Sequence, residues 1–330
     1  MSITLDSATQ SAATAGCLSQ AALLYELEPV VEANLNRHLS LAKEWFPHAY
    51  VPWGAGEDFD GPLGGKAWEP GQSKLDETAR TSMILNLLTE DNLPSYHHEI
   101  ATLFGRDGAW GTWVHRWTAE EGRHGNAIRD YLLTTRAVDP IALERARMVH
   151  MSAGYHSPNS DAALNSIAYV SFQELATRIS HRNTGSYSAE PLCDALLQKI
   201  ANDENLHMVF YRNLLNAALD LSPDQTMLAI LDVVKNFEMP GSSVENYTRK
   251  SVQIALAGIY NLRIHRDEVL VPVLRNVKVF ERTGFGPAGE AAREELAGIM
   301  DALECAAARF EEKAQIALAR QAARKAATAA

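Results

Sequence analysis

Two short segments, Glu121-Gly122-Arg123-His124 and Glu204-Asn205-Leu206-His207, repeat the pattern Glu-x-x-His, and the interpretation of the chain starts from them. No other glutamate in the sequence has a histidine three residues later. In an α-helix, residues i and i+3 lie on one face, so each glutamate and its histidine can reach the same metal ion. The two segments therefore predict a pair of metal-binding helices.

Each Glu-x-x-His segment is preceded by another carboxylate in a stretch of helical periodicity. Glu90 lies 31 residues before Glu121, and Glu174 lies 30 residues before Glu204. The neighbours at helical spacing are mainly apolar, which predicts that these helix faces point into the core. A buried carboxylate is costly unless something positive compensates it. Four carboxylates and two imidazoles from four helices predict a site for two iron or manganese ions, as in ferritin-like di-metal bundles.

Two readings without a metal remain open at this point. A single Glu-x-x-His can arise by chance on a solvated helix face. Each glutamate could also pair with its own histidine or with an arginine, since charged groups are rarely buried without a partner. Such pairing would have to occur twice, each time with a matching upstream acid, so the metal site is favoured.

The composition indicates a globular chain with an acidic charge. Its 330 residues are 46% hydrophobic and 22% charged, with a formal net charge of −11. This charge argues against binding to nucleic acid or to an anionic membrane. Apolar runs fall short of the ~18 residues that a membrane-spanning helix needs. The first basic residue is Arg37, which argues against a secretory signal. Three widely spaced cysteines, Cys17, Cys193 and Cys305, fit a reducing cytoplasm.

Helical periodicity recurs along most of the chain, and strand signals are nearly absent. Pro94 should kink or loosen its helix, and Gly185 should end the helix that carries Glu174. Residues 46–72 are rich in proline and glycine and predict a long loop, anchored by Trp45, Trp53 and Trp68. A short hairpin is possible at 277–286. Helices are predicted at residues 18–45, 73–104, 109–133, 140–152, 161–182, 189–220, 223–238, 243–262, 264–276 and 288–326.

These elements predict an all-α fold in which a four-helix metal-binding core lies inside a larger helical bundle. We expect one domain at residues 18–313. Residues 1–17, rich in serine, threonine and alanine, predict a disordered arm. Residues 314–330 form an Ala-rich tail that is helix-prone and can fray.

Four strings carry a resemblance to a known family: TEDNLPSY at 89–96, WTAEEGRHG at 117–125, SFQELATRISH at 171–181 and DENLH at 203–207. In identity, order and spacing they are similar to the soluble acyl-carrier-protein (ACP) desaturases, particularly the actinobacterial branch. The resemblance implies a ferritin-like bundle that forms a homodimer. It also implies that two iron ions, O2 and two electrons, usually from ferredoxin, place a cis double bond in a fatty acyl chain held on ACP.

The resemblance assigns roles to residues of the repeated motifs. Glu90 and Glu174 would each bind one iron, and Glu121 and Glu204 would be shared between the irons. The nitrogen ligands would be His124 and His207. Glu120 would lie outside the ligand set, either in solvent or supporting a ligand.

Further residues match family positions beside the irons. Thr177 and Thr89 match threonines on the oxygen-binding side, although a helical threonine commonly bonds its own backbone. Asp203 and Trp45 match residues that form hydrogen bonds around a ligating histidine and relay electrons. Glu99 and His97 follow Glu90 in the region where the resemblance implies an acyl tunnel, and surface exposure is the favoured reading of both.

Because ACP is strongly acidic, its docking needs a local basic surface. The candidates for this surface are Arg249, Lys250, Arg263, Arg266, Arg275 and Lys278.

Alternatives to desaturation are a related oxygenase that hydroxylates a carrier-bound chain, and a non-catalytic bundle that stores or oxidises iron. A radical-generating subunit would need a tyrosine beside the irons, but core packing explains Tyr211 better.

Overall fold

The structure is a computed structural model, and it describes residues 17–155, 162–241 and 244–329. All of the predicted N-terminal arm except Cys17, and most of the loop predicted at 154–160, lie outside these ranges. Within them the chain is helical and contains no β-strand, which confirms the all-α prediction. Among the described residues, no helix combines the length and apolar character that crossing a bilayer requires.

The helices are numbered in chain order, and short 3-10 turns occur between α1 and α2. α10, a π-helical turn at His265–Leu270 and α11 form one continuous stretch. The helices are α1 Gln20–Leu41, α2 Glu77–Asp91, α3 Leu93–Phe104, α4 Gly108–Thr134, α5 Pro140–Ala153, α6 Ala163–Ser188, α7 Pro191–Leu221, α8 Pro223–Lys235, α9 Tyr247–Leu256, α10 Leu262–Ile264, α11 Val271–Asn276 and α12 Pro287–Ala329.

Helices α2, α4, α6 and α7 form the predicted four-helix core. α6 pairs with α7, α2 pairs with α4, and α1 packs against α4 and α7. The four core helices contribute most of the largest fully buried side chains, such as Trp113, Tyr211 and Phe172. Their buried faces follow the spacing that the sequence predicted, because apolar residues recur on the side of each helix that carries the acids and histidines.

The long helix predicted at 73–104 is interrupted, as Pro94 suggested. α2 ends at Asp91 and α3 begins at Leu93, so the proline occupies the first turn of a new helix. Proline is tolerated there because the first-turn amides have no partner within the helix.

The predicted end of α6 at Gly185 is wrong, because the helix continues to Ser188. A β-carbon at Gly185 would lie 3.0 Å from Asp194 Oδ1 and 3.1 Å from Asp194 Cα. The glycine therefore permits the close approach of α6 to α7 rather than stopping the helix. The helix ends at Ser188, and the next residue, Ala189, has a left-handed φ of 53°.

The hairpin considered at 277–286 is absent. Val277 and Val279 are fully buried, and the Val279 amide donates to the Leu274 carbonyl at 3.2 Å. The segment thus closes the end of α11 by a turn. α12 continues without a break through the Ala-rich residues to Ala329, and the domain boundary at 313 stays a prediction.

The long loop at 46–72 is held against the end of α4. Trp45 is buried and Trp68 Nε1 donates to the Arg136 carbonyl at 2.9 Å, but Trp53 is 52% exposed and is not an anchor. The sequence analysis missed the Arg136 guanidinium, which holds the loop by hydrogen bonds. It donates to carbonyls of the loop at Glu57, Asp58, Lys66 and Ala67.

Candidate metal centre

The structure brings all six predicted metal-binding residues together in the middle of the four-helix core. All are buried, with at most 7% of any residue exposed. Potential ligand atoms form two overlapping groups, each within 4.8 Å, and two glutamates belong to both. One group is Glu90, Glu121, His124 and Glu204, and the other is Glu121, Glu174, Glu204 and His207.

The two imidazoles face the carboxylates through their Nδ1 atoms. His124 Nδ1 lies 3.3 Å from Glu121 Oε2 and 3.3 Å from Glu204 Oε1. His207 Nδ1 lies 2.8 Å from Glu121 Oε1 and 3.5 Å from Glu174 Oε2. Each histidine therefore approaches carboxylates of both helix pairs, not only the glutamate of its own motif.

Several buried polar atoms at this point make no well-directed hydrogen bond to a described residue, although they lie as close as 2.8 Å to one another. Such atoms are rare in folded proteins because each forfeits its hydration. Here they converge on one place, which is the arrangement expected around a cation. The reading in which each glutamate simply pairs with its own histidine does not satisfy them. The atoms are Glu121 Oε1, His124 Nδ1, Glu174 Oε2, Glu204 Oε1 and His207 Nδ1.

The electrostatics of the cluster also fit bound cations. Burial, reinforced by the carboxylates of Glu121 and Glu204, raises the pKa of Glu90 and of Glu174 well above the ordinary value. Burial also acts to raise the pKa of Glu121, but the adjacent histidines outweigh it and lower that pKa. Four carboxylates cannot all be charged here without compensation, and metal ions would supply it. The oxygen-rich donor set suits iron or manganese better than tetrahedral zinc.

An acid fixes the far nitrogen of His124. His124 Nε2 lies 3.2 Å from Asp203 Oδ2, so the ring can donate there and leave Nδ1 for a metal. The same oxygen accepts from Trp45 Nε1 at 2.7 Å and from Arg123 Nη2 at 2.6 Å. Asp203 and Trp45 therefore lie beside His124, the predicted nitrogen ligand.

A second acid supports His207 in the same way. His207 Nε2 lies 2.8 Å from Glu120 Oε2, which also lies 3.0 Å from His38 Nε2. Arg116 forms an ion pair with the other oxygen of Glu120. Burial acts to raise the pKa of Glu120, but the two histidines outweigh it and lower that pKa. Of the two places considered for Glu120, the structure shows the buried one, in contact with the predicted ligand His207.

Both supports were named from the family resemblance, but the sequence also holds a local signal for them. Asp203 precedes Glu204 and Glu120 precedes Glu121, so an acid stands directly before each shared glutamate. In the fold each acid contacts the histidine of the other motif. His38 had no such signal.

Glu90 and Glu174, the two carboxylates outside the Glu-x-x-His motifs, have different partners, which the sequence analysis also missed. His181 Nε2 lies 2.9 Å from Glu90 Oε1, and the other ring nitrogen lies 3.2 Å from Asn86 Nδ2. Trp117 Nε1 donates to Glu174 Oε1 at 2.9 Å. Both partners occur in the strings that carry the family resemblance, but their contacts depend on helix packing.

The two threonines differ in their surroundings. Thr177 Oγ1 lies 3.1 Å from Glu204 Oε2 and also 3.0 Å from the Glu174 carbonyl, so it contacts both the cluster and its own helix. Thr89 Oγ1 donates to the Pro240 carbonyl at 2.9 Å. Tyr211 is buried against the Trp113 ring, consistent with core packing.

A cavity of about 460 Å³ begins beside the cluster. Glu90, Glu121 and Glu204 form part of its wall. Glu99 also lines the cavity and is half-buried, contrary to the favoured surface position. His97 does not line it and instead lies 2.7 Å from Thr118 Oγ1.

The basic residues considered for ACP docking do not form one free surface. Arg263 and Arg266 both pair with Glu304 of α12, at 2.6 Å and 2.9 Å. The exposed members without an ion pair to a described residue are Arg249, Arg275 and Lys278.

The chain belongs to the fatty acid desaturase family, whose sequence model matches residues 19–328. A Mycobacterium tuberculosis protein with the provisional name acyl-ACP desaturase DesA1 is 51% identical over 313 residues, covering 92% of each chain. The chloroplastic stearoyl-ACP 9-desaturase of Gossypium hirsutum is 28% identical over 307 residues, covering 88% of this chain and 77% of that one.

A solved structure of a similar protein has the same fold. The crystal structure of M. tuberculosis DesA2, another protein provisionally named an acyl-ACP desaturase, matches with a TM-score of 0.67 and 33% identity. The match covers 82% of this chain and 99% of DesA2. The fold is thus the ferritin-like helical bundle that the sequence predicted.

Proposed function

We propose that this protein is an O2-dependent acyl-ACP desaturase that places a cis double bond in a fatty acyl chain carried by ACP. The observation that carries the proposal is the group of buried carboxylate and imidazole atoms without hydrogen bonds at the inner end of a large cavity. The names of the relatives support the choice of substrate and reaction.

The proposed cofactor is a pair of iron ions. Glu90 and Glu174 would each bind one ion and Glu121 and Glu204 would bind both, with His124 and His207 as nitrogen ligands. When bound, two irons that change between Fe²⁺ and Fe³⁺ activate O2 for the removal of hydrogen from an unactivated carbon.

The remaining residues would hold this centre and shield it. Asp203 and Glu120 orient the two imidazoles by accepting from Nε2, which keeps Nδ1 directed inward. Thr177 holds one oxygen of Glu204, which places a hydroxyl group on the cluster. Trp117 forms part of the cavity wall and donates to Glu174, so one side chain both excludes water and orients a ligand.

Electrons would come from a ferredoxin-type donor. Trp45, Asp203 and His124 form a continuous hydrogen-bonded path that ends at the cluster. Trp45 is 5% exposed and is followed by Phe46, which is 49% exposed. This arrangement supports the electron-relay role proposed for Trp45.

The proposed assembly is a homodimer. α5 carries exposed apolar side chains at Ile141, Met148 and Val149, which are 56%, 59% and 65% exposed. A second copy of the chain would cover such a face. Light scattering of the purified protein tests this directly, and a monomer that persists at high concentration would contradict it.

The test of function combines the ferrous protein, O2, a reductant and acyl-ACP, followed by mass spectrometry of the acyl chain. Desaturation removes two hydrogens, whereas hydroxylation adds one oxygen, so the mass of the product separates the two reactions. Glu204→Gln should abolish the product. Glu312→Gln, at an exposed position on α12, is the matched control and should retain it. Iron uptake without any change in acyl-ACP would favour the iron-binding alternative.

A further inference from the structure

The cavity that starts at the cluster of buried glutamates and histidines has both apolar and polar walls. Part of its wall is apolar and comes from α3 and α6, namely from Leu93, Ile100, Leu103 and Val170. An aliphatic chain would be favoured there because each buried methylene gains free energy.

The outer end of the cavity is polar and open. The exposed residues among those that line the cavity are Gln20, His98 and Thr102, with the half-buried Glu99 beside them. A wall that ended an acyl chain would require buried apolar side chains, because a methyl group gains nothing from contact with solvated polar groups. As far as the described residues extend, this rim leads to solvent.

The length of the path follows from α3, which runs along the cavity. From Leu93, whose Cδ2 would lie 3.5 Å from a β-carbon at Gly122 near the cluster, to Leu103 is ten residues. At 1.5 Å per residue this is roughly 15 Å. An extended chain with carbon–carbon bonds of about 1.5 Å advances roughly 1.25 Å per carbon, so about twelve carbons reach the rim.

The carrier protein is expected at the other end, near Pro240. Thr89 and Pro240 line the cavity next to the cluster and are joined by a hydrogen bond of 2.9 Å. The next residue, Gly241, packs on α9, since a β-carbon there would lie 3.4 Å from Tyr247 Cε2. α9 carries the exposed Arg249, which suits an acidic carrier.

We propose that the acyl chain leaves the bundle through the rim formed by Gln20, His98 and Thr102. The substrates are then long acyl chains whose methyl ends extend past the cavity into solvent, and among the residues that the structure describes no closed wall sets an upper limit of length. This inference rests on the proposed function, because it concerns the chain that the desaturase would bind.

The experiment measures kcat/KM and Kd for acyl-ACPs of increasing chain length with the iron-loaded enzyme. Up to about twelve carbons beyond the oxidised position, kcat/KM should rise roughly fourfold per methylene. Beyond that length both constants should stay level. A fall of about tenfold or more for longer chains, which a closed pocket imposes on one or two excess methylenes, would overturn the proposal.

A bulky side chain at the rim gives a second test. Thr102→Trp should lower kcat/KM and weaken binding for the longest chains by about tenfold and leave short chains unchanged. The control is Thr112→Trp, because Thr112 is also exposed and also bonds the carbonyl four residues earlier but does not line the cavity. Equal behaviour of the two variants would place the chain elsewhere. If no acyl-ACP of any length is desaturated, the proposed function itself fails.

Discussion

The two halves of the candidate centre have the same inner residues and different surroundings. In each half a Glu-x-x-His motif and an upstream glutamate face the cluster, and an acid of the other motif holds the histidine. Around Asp203 the further partners are Trp45 and Arg123. Around Glu120 they are His38 and Arg116.

The difference comes from elements outside the repeat. Trp45 belongs to the segment after α1, beside an exposed loop, whereas His38 lies inside α1 and contacts the Trp113 ring. The hydrogen bonds around Asp203 therefore extend toward the surface, whereas those around Glu120 end in the core. We infer that the repeat encodes metal binding, and that α1 and its loop make the two halves functionally unequal.

The largest expected effect separates shared from unshared ligands. Glu121→Gln should lose both irons because both positions use this carboxylate, whereas Glu174→Gln should retain one. Metal analysis of the purified, iron-loaded variants measures the difference. Equal iron content in the two variants would contradict the sharing of Glu121.

The next prediction compares the two supporting acids. Asp203→Ala and Glu120→Ala should each weaken iron binding about 10–100-fold, and each at the position of its own histidine. Titration with ferrous iron, followed by absorption or Mössbauer spectroscopy, would resolve the two positions. Asp194→Ala, at a half-exposed position on α7, is the control. Loss at both positions from either variant would show that the halves are not separable.

Replacement of Trp45 should show that the two halves of the centre differ in electron transfer. Trp45→Phe keeps an aromatic ring but removes the hydrogen bond to Asp203, so reduction of the oxidised centre should slow while iron content is kept. His38→Gln, in the other half, should leave the reduction rate unchanged. Stopped-flow reduction by a ferredoxin-type donor measures both. A slower rate in His38→Gln alone would reverse the assignment of the halves.

A smaller effect concerns pH and the metal-free protein. The folded-state pKa values of Glu90 and Glu174 are raised, so these groups favour the folded state at low pH, and this contribution is lost as pH rises above the ordinary glutamate value of 4.5. Stability of the metal-free protein should therefore fall between pH 5 and 8. Glu90→Gln should reduce the loss by roughly 1–3 kcal/mol, as expected for removing an uncompensated buried group.

Thermal unfolding with and without iron, across this pH range, provides the measurement. Iron should remove the dependence because it compensates the charged carboxylates. A metal-free protein that becomes more stable as pH rises through this window would contradict the raised pKa values.

The inner residues were predictable because their signal is local. Glu121 and His124 lie three residues apart, and the pattern occurs twice with matching acids. The supports were less accessible, since His38 and Glu120 are 82 residues apart and meet only through the packing of α1 on α4. The end of α6 was missed for a similar reason, because the role of Gly185 depends on its distance from Asp194.

The crossed placement of the two supporting acids has a consequence for assembly. A helical hairpin of α2 and α4 alone would carry Glu121 and His124 but would lack Asp203, which steers that imidazole. The hairpin of α6 and α7 would lack Glu120 in the same way. Neither hairpin is a self-sufficient chelator, so maturation of the protein should couple closure of the bundle to ion uptake in a single cooperative event.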